Sequence, residues 1–291
     1  MKEGIRNSLT GIFGKNVRID SIRSTGGGCI NQTQVLILSN KERVFLKSND
    51  RPPSGFFAAE ANGLALLRGN ANGLRVPRVL ALQPGNDPHY LLLEYIEETG
   101  ADAGYCVNFA RSLATLHRTA QDHYGLDHDN FIGKTAQHNA VESDPIVFYR
   151  EHRFRFQQRL ARTAGLLPKS VDARLDKLWD KLDTLINVAG ERPALVHGDL
   201  WSGNHFPAGD NACIVDPAVY FGLRESDLAM TEMFGRLPQE FYDAYAEAFP
   251  LNPGYAERKQ LFNLYHLLNH LNLFGGSYLS SVEQVAAHFT G

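Results

Sequence analysis

The alternation of apolar and polar positions divides the chain into a strand-rich first third and a helix-rich remainder. Residues 2–13 place Ile5, Leu9, Ile12 and Phe13 on one side of a short helix. A period of two then predicts strands over 17–22, 34–38 and Val44-Phe45-Leu46-Lys47, one starting at Val76, and one over 90–96. Before the last two, Phe57, Ala61, Leu64 and Leu67 recur at helical spacing around Glu60. The chain turns polar at Glu97, and the period becomes helical over 107–119, 146–164, 171–186, 228–234, 239–249 and 256–274. The stretch 123–140 reads as loop. The change of period predicts a first lobe over 1–96, a second over 97–291, and a hinge near 94–100. The fold class expected is α+β and two-lobed: a small antiparallel sheet with a helix, then a larger, mainly helical lobe.

The chemistry gathers in LVHGDLWSGNHFPAGDNACIVD, residues 195–216. Apolar runs at 194–196 and 212–215 enclose a polar segment, so the two runs read as a hairpin-like pair carrying polar residues at one end. His197, Asp199 and Asn204 have the spacing H-x-D-x-x-x-x-N, the form of the protein-kinase catalytic loop, and Asp216 follows the second run. In that loop Asp accepts the proton of the attacking hydroxyl. Asn and a second Asp supply oxygen ligands to a hard cation, because phosphoryl transfer concentrates negative charge. The plain alternative is a polar hairpin whose Asp and Asn cap turns. Residues 217–222 read as loop, and Glu225-Ser226-Asp227 as the acidic start of the next helix.

Upstream, Gly26-Gly27-Gly28-Cys29 with Asn31 lies between two strands, where a backbone lacking Cβ atoms can approach phosphates. It is not a Walker A loop, and a flexible turn is the alternative. Lys47 ends the third strand, the place of a lysine that pairs nucleotide phosphates, and Glu60 is its natural carboxylate. The backbone of Glu94, Tyr95 and Ile96 would meet the adenine edge. His117 reads as a satisfied core histidine. Arg150, Arg153, Arg155, Arg159 and Arg162 read as a solvated helix face, with a substrate contact by Arg153 or Arg155 as the alternative. His266 and His270, four apart, share a helix face without the glutamate of a zinc HExxH motif, which favours a core or pocket role.

The chain has 291 residues, 43% of them hydrophobic and 21% charged, with a formal net charge of -3. That balance speaks against a nucleic-acid surface, and no apolar run has the length of a membrane span. The N-terminus lacks a signal-peptide hydrophobic segment. Cys29, Cys106 and Cys213, sparse and odd in number, argue against a disulfide framework or structural zinc and for a reducing cytoplasm.

With GGGCIN at 26–31, HGDLWSGN at 197–204, DPAVYFGLRESDLAM at 216–230 and NHLNLFGG at 269–276, the chain resembles the fructosamine (ketosamine) kinases. These form part of the aminoglycoside-phosphotransferase-like branch of the protein-kinase fold. The resemblance runs over nearly the whole chain. Asp216 is followed by Pro-Ala, not Phe-Gly, so activation-loop regulation is not carried over. The resemblance implies that Asp199 is the base, Asn204 and Asp216 bind Mg²⁺, Lys47 holds the phosphates of ATP, and Glu60 holds Lys47. Trp201 and His270 are candidates for the sugar pocket. It implies transfer of phosphate to a ketosamine hydroxyl, on a small glycated amine or a protein lysine, by a monomer or homodimer with no nucleic-acid or membrane partner. An aminoglycoside, choline or amino-sugar acceptor, or a non-catalytic nucleotide-binding module, is the alternative. Cys29 reads either as an oxidation-sensitive thiol or as an unreactive loop cysteine.

Overall fold

The computed structural model describes residues 3–26, 30–83, 89–186, 188 and 190–291. Gly27, Gly28 and Cys29 lie outside the described residues, and with them the expectations placed on that part of the glycine loop.

Helix α1 (Glu3–Phe13) leads into β1 (Ile19–Ser24), β2 (Gln32–Leu38) and β3 (Arg43–Asn49), followed by α2 (Phe56–Asn70), β4 (Val79–Gln83) and β5 (His89–Glu94). The strands form one antiparallel sheet in the order β1-β2-β3-β5-β4. Successive side chains of a strand point to opposite faces. Val44 and Leu46 of β3 therefore pack with Ile5 and Leu9 of α1 and with Leu36, Leu38 and Leu92. Phe45 faces the other way, into a core shared with Phe57, Leu64 and Leu67 of α2. Lys47 has the same parity as Phe45, which turns a cation toward α2 with 3% of its surface exposed.

Next come α3 (Tyr105–Leu116), β6 (Asn130–Ile132) and β7 (Thr135–Gln137). Phe109, Leu113 and Leu116 of α3 are buried, as their spacing predicts. β6 and β7 pair into a small hairpin inside the stretch that reads as loop; three residues per strand are too few to show an alternation. Then α4 (Pro145–Val147), a π-helical turn over Phe148–Phe154, and α5 (Arg155–Thr163) follow without a break. The wider π turn changes the phase of the helix, and this overturns the solvated-face reading for Arg153, whereas Arg159 and Arg162 are exposed as expected. Arg153 is fully buried, with its guanidinium 4.1 Å from the centre of the Tyr220 ring and 4.5 Å from that of Phe148. It donates to the His138 carbonyl at 2.6 Å and to Asn139 Oδ1 at 2.7 Å. Arg155 stays at the surface and pairs with Glu151 at 3.0 Å.

After α6 (Lys169–Trp179) and α7 (Leu182–Leu185), four short strands follow: β8 (Ala194–Val196), β9 (His205–Ala208), β10 (Asn211–Ile214) and β11 (Tyr220–Gly222). The two apolar runs do not pair with each other. β8 pairs with β11, which the sequence reads as loop, and β10 pairs with β9. The chain ends with α8 (Glu225–Met233), α9 (Gln239–Ala248), α10 (Tyr255–Phe274) and α11 (Leu279–Thr290). A buried two-pronged ion pair, Arg258 to Glu225 at 2.8 and 2.6 Å, fastens α10 to α8. Among the described residues no helix is long and apolar enough to cross a membrane.

Candidate active site

The loop between β8 and β9 is folded against the segment between β10 and β11 by backbone bonds. The Ala218 N–H donates to His197 O at 2.9 Å, and the Val215 N–H to Asn204 O at 2.9 Å. His197 adds a third tie, with Nε2 donating to Val215 O at 2.9 Å and Nδ1 accepting from the Asp199 N–H at 3.3 Å. That pattern fits a neutral imidazole, and burial holds the His197 pKa down. Gly198 has φ +83°, and a Cβ there would lie 2.1 Å from the Ala218 carbonyl oxygen. Only glycine accommodates both the left-handed backbone and the approach.

Beneath this loop lies Asp227. Its Oδ2 accepts from the His197 N–H at 2.7 Å and its Oδ1 from the Gly198 N–H at 2.9 Å. His117 Nε2 lies 3.2 Å from Oδ2, and His117 Nδ1 meets the Tyr245 hydroxyl at 2.7 Å, so His117 is the satisfied core histidine expected. Burial works against the Asp227 charge, but His117 and these donors outweigh it and hold the carboxyl below its ordinary range. Asp227 therefore braces another segment and makes no cap bond to its own helix.

Asp199 and Asn204 emerge on the far side of the loop. Asn204 Nδ2 donates to Asp199 O at 2.7 Å and to Asp199 Oδ2 at 3.1 Å. Burial first, and then the charge of Asp216, push the Asp199 carboxyl up to about 7; the Asn204 bond opposes them. Asp216 is one of two non-glycine residues with positive φ among the described residues, at +57°. A backbone held there is strained, a condition that clusters at functional sites. The twist brings Asp216 to Lys47, whose Nζ bonds both Asp216 Oδ1 and, at 2.5 Å, Glu60 Oε1. Burial by itself would lower the Lys47 pKa, but Asp216 and Glu60 outweigh it and raise it. For Glu60 burial dominates, and its pKa is raised despite the lysine.

Lys47, Glu60, Asp199, Asn204 and Asp216 thus line one cleft of about 440 Å³. Its opposite wall is aromatic. Trp201 meets Phe234 edge-on at 6.3 Å, and the His270 ring lies 5.0 Å from Phe234, 5.4 Å from Phe274 and 5.0 Å from Tyr278. Gly203 lies under Trp201, where a Cβ would come within 2.3 Å of the indole. Asn31 reaches the same cleft and accepts from Asn49 Nδ2 at 3.0 Å. Gly26 is exposed and is not among the lining residues. Glu94, Tyr95 and Ile96 also lie outside the lining, at the end of β5. The Glu94 carboxylate accepts from Arg78 Nε at 3.2 Å, and the Arg43 guanidinium covers the Tyr95 ring at 4.4 Å. Arg153 and Arg155 do not line the cleft either.

The residues fit a magnesium ion. Asp216 turns a half-exposed carboxylate into the cleft, and Asn204 commits its amide nitrogen to Asp199, which leaves its oxygen as the ligand atom. Both donors are hard oxygens. Among the described residues no three His, Cys, Asp or Glu side chains gather as a dedicated metal cage. A Mg²⁺ that arrives with nucleotide phosphates needs only one or two carboxylates. Sequence reasoning missed Phe234 and Tyr278 in the wall and the bracing role of Asp227. For Asp227 the signal was a carboxylate set just before the apolar run Leu228-Ala229-Met230.

The fructosamine kinase family model matches residues 1–290. A "Probable ketoamine kinase" of Synechocystis is 38% identical over 285 residues, 97% of this chain and 94% of the relative. A chloroplastic protein-ribulosamine 3-kinase of Oryza sativa subsp. japonica is 36% identical over 94% of this chain and 79% of its own length. The crystal structure of a "Putative fructosamine-3-kinase" from Haemophilus somnus superposes with a TM-score of 0.88 at 30% identity, covering 99% of this chain and 97% of that one. An ADP-bound aminoglycoside phosphotransferase shares the fold, with a TM-score of 0.65 at 14% identity.

Proposed function

Because this chain belongs to the fructosamine kinase family, we propose that it transfers the γ-phosphate of ATP to a sugar hydroxyl of a ketosamine. It is a phosphotransferase with an alcohol group as acceptor. The observation that carries the finer reading is the shared cleft, with Lys47, Asp199, Asn204 and Asp216 facing an aromatic wall. We place the division between two lobes near 94–100, with the backbone of residues 94–96 along the adenine edge.

Lys47 draws the triphosphate into place, and Glu60 keeps the lysine aimed. Asn204 and Asp216 would hold Mg²⁺, which supplies charge neutralisation on the phosphates when bound. Asp199 orients the acceptor hydroxyl and takes its proton as the oxygen–phosphorus bond forms; the bond from the γ-phosphorus to the bridging oxygen breaks and ADP leaves. Trp201 and His270 support the sugar: the indole covers its apolar face and the imidazole bonds its hydroxyls. The name of the rice relative supports position 3 of the sugar as the acceptor and a glycated amine as the parent compound. Phosphorylation there makes the adduct break down and frees the amine, a repair of glycation.

Incubation with ATP, Mg²⁺ and a fructosyl-amine or ribulosyl-amine is expected to add the mass of one phosphate to the sugar adduct and release ADP. Transfer to an aminoglycoside, choline or plain amino sugar in preference to either ketosamine would overturn the substrate assignment. ATP binding without transfer to any acceptor would leave a nucleotide-binding module instead.

A further inference from the structure

The first histidine of the α10 pair, His266, does not stand where His270 does. His266 is 4% exposed and is absent from the cleft lining, to which α10 contributes Asn269, His270, Leu273 and Phe274. It lies behind the wall. Its backbone carbonyl accepts from His270 Nδ1 at 2.7 Å, and its ring meets Tyr265 edge-on at 5.1 Å. The His266 Nδ1 atom is buried and has no hydrogen-bond partner. Such an atom costs free energy and asks for an explanation. The facing group is the catalytic-loop carboxylate, with Asp199 Oδ1 at 3.9 Å. The other oxygen, Oδ2, is the one held by Asn204.

We propose that His266 is a positioning residue for Asp199, donating its Nδ1 hydrogen to Oδ1 once the acceptor is seated. The present separation is too long for a hydrogen bond, and contacts of this kind tighten when substrate binds. Asn204 and His266 would then grip one oxygen each and fix the plane of the carboxylate. The remaining lone pairs would face the acceptor hydroxyl. His266 acts as a neutral donor and not as a proton relay. Burial, with His270 adding to it, holds its pKa down to about 3, so it does not take up the proton that Asp199 collects. The inference rests on the reading of Asp199 as the base, so the test separates the two.

Asn at 266 can present an amide hydrogen near the Nδ1 position, whereas Gln presents it farther out and Leu presents none. His266→Asn is expected to keep kcat within about 3-fold of wild type. His266→Gln and His266→Leu are expected to lose about 10- to 100-fold in kcat, the worth of one hydrogen bond to a charged group, with KM for ATP unchanged. Melting temperatures of the three are compared first, so that a folding loss in one leaves the other two to decide. Equal kcat for the Gln, Leu and Asn variants would overturn the positioning role and leave a core histidine. Asp199→Asn is run beside them. If it keeps wild-type turnover, the assignment of the base fails; if it is inactive while His266→Leu is unimpaired, only the inference about His266 fails.

Discussion

Gly198 shows how narrow the tolerance of the loop after β8 is. Its left-handed φ and the 2.1 Å approach to Ala218 O both exclude a side chain. Gly198→Ala is expected to lower stability by about 1–3 kcal/mol, seen as a reduced urea midpoint, and to lower turnover further because Asp199 is the next residue. A tolerated alanine with wild-type turnover would contradict the geometry. Asp227 sets a pH dependence. Its folded pKa lies below the ordinary value of 3.8, so its contribution to stability is present above that value and is lost as pH falls through the depressed one. Wild type is therefore expected to lose urea resistance below about pH 4. Asp227→Asn should start about 3–5 kcal/mol less stable, since the two N–H donors and His117 lose a charged acceptor, and should show a shallower acid loss. Parallel pH curves for the two proteins would show that another group is responsible.

Among the elements, the aromatic wall is assembled from three places: the loop after β8 supplies Trp201, the end of α8 Phe234, and the end of α10 with the turn after it His270, Phe274 and Tyr278. Trp201→Ala is expected to raise KM for the acceptor about 10-fold while leaving KM for ATP unchanged; a rise in both would place the indole on the nucleotide side. The wall also shows what could be read from the chain beforehand. That Asp199, Asn204 and Asp216 meet in one cleft was legible because they lie close together in the chain with a kinase-like spacing. Lys47 and Glu60 were legible because strand parity and one helical face bring them together. The partners of the two apolar runs were not, since alternation says that a strand exists and not which strand it joins. Arg153 misled because a π turn breaks the 3.6 period on which a solvated face is inferred. The approach of His266 to Asp199 depends on how α10 packs against α8, which no local pattern encodes.

For the molecule as a whole, the sheet side and the helical side share an apolar core, and at the cleft one cation joins them. Lys47 bonds Glu60 of α2 and Asp216 of the far segment at once, with Asp199 close by. One positive charge thus stands among two carboxylates and a third that ionises near neutrality. ADP with Mg²⁺ is expected to raise the melting temperature, by an amount equivalent to about 2.7 kcal/mol at a hundredfold excess over Kd. ADP with a chelator should give little shift, and an equal shift in both conditions would show that the phosphates do not depend on the ion. The doubly engaged lysine therefore makes the resting cavity a turnstile for charge. Nucleotide phosphates that approach Lys47 meet carboxylates as well as the lysine, and a counter-cation bound with them is expected to offset that repulsion. Starved of that escort, the protein would stand idle in a full supply of ATP.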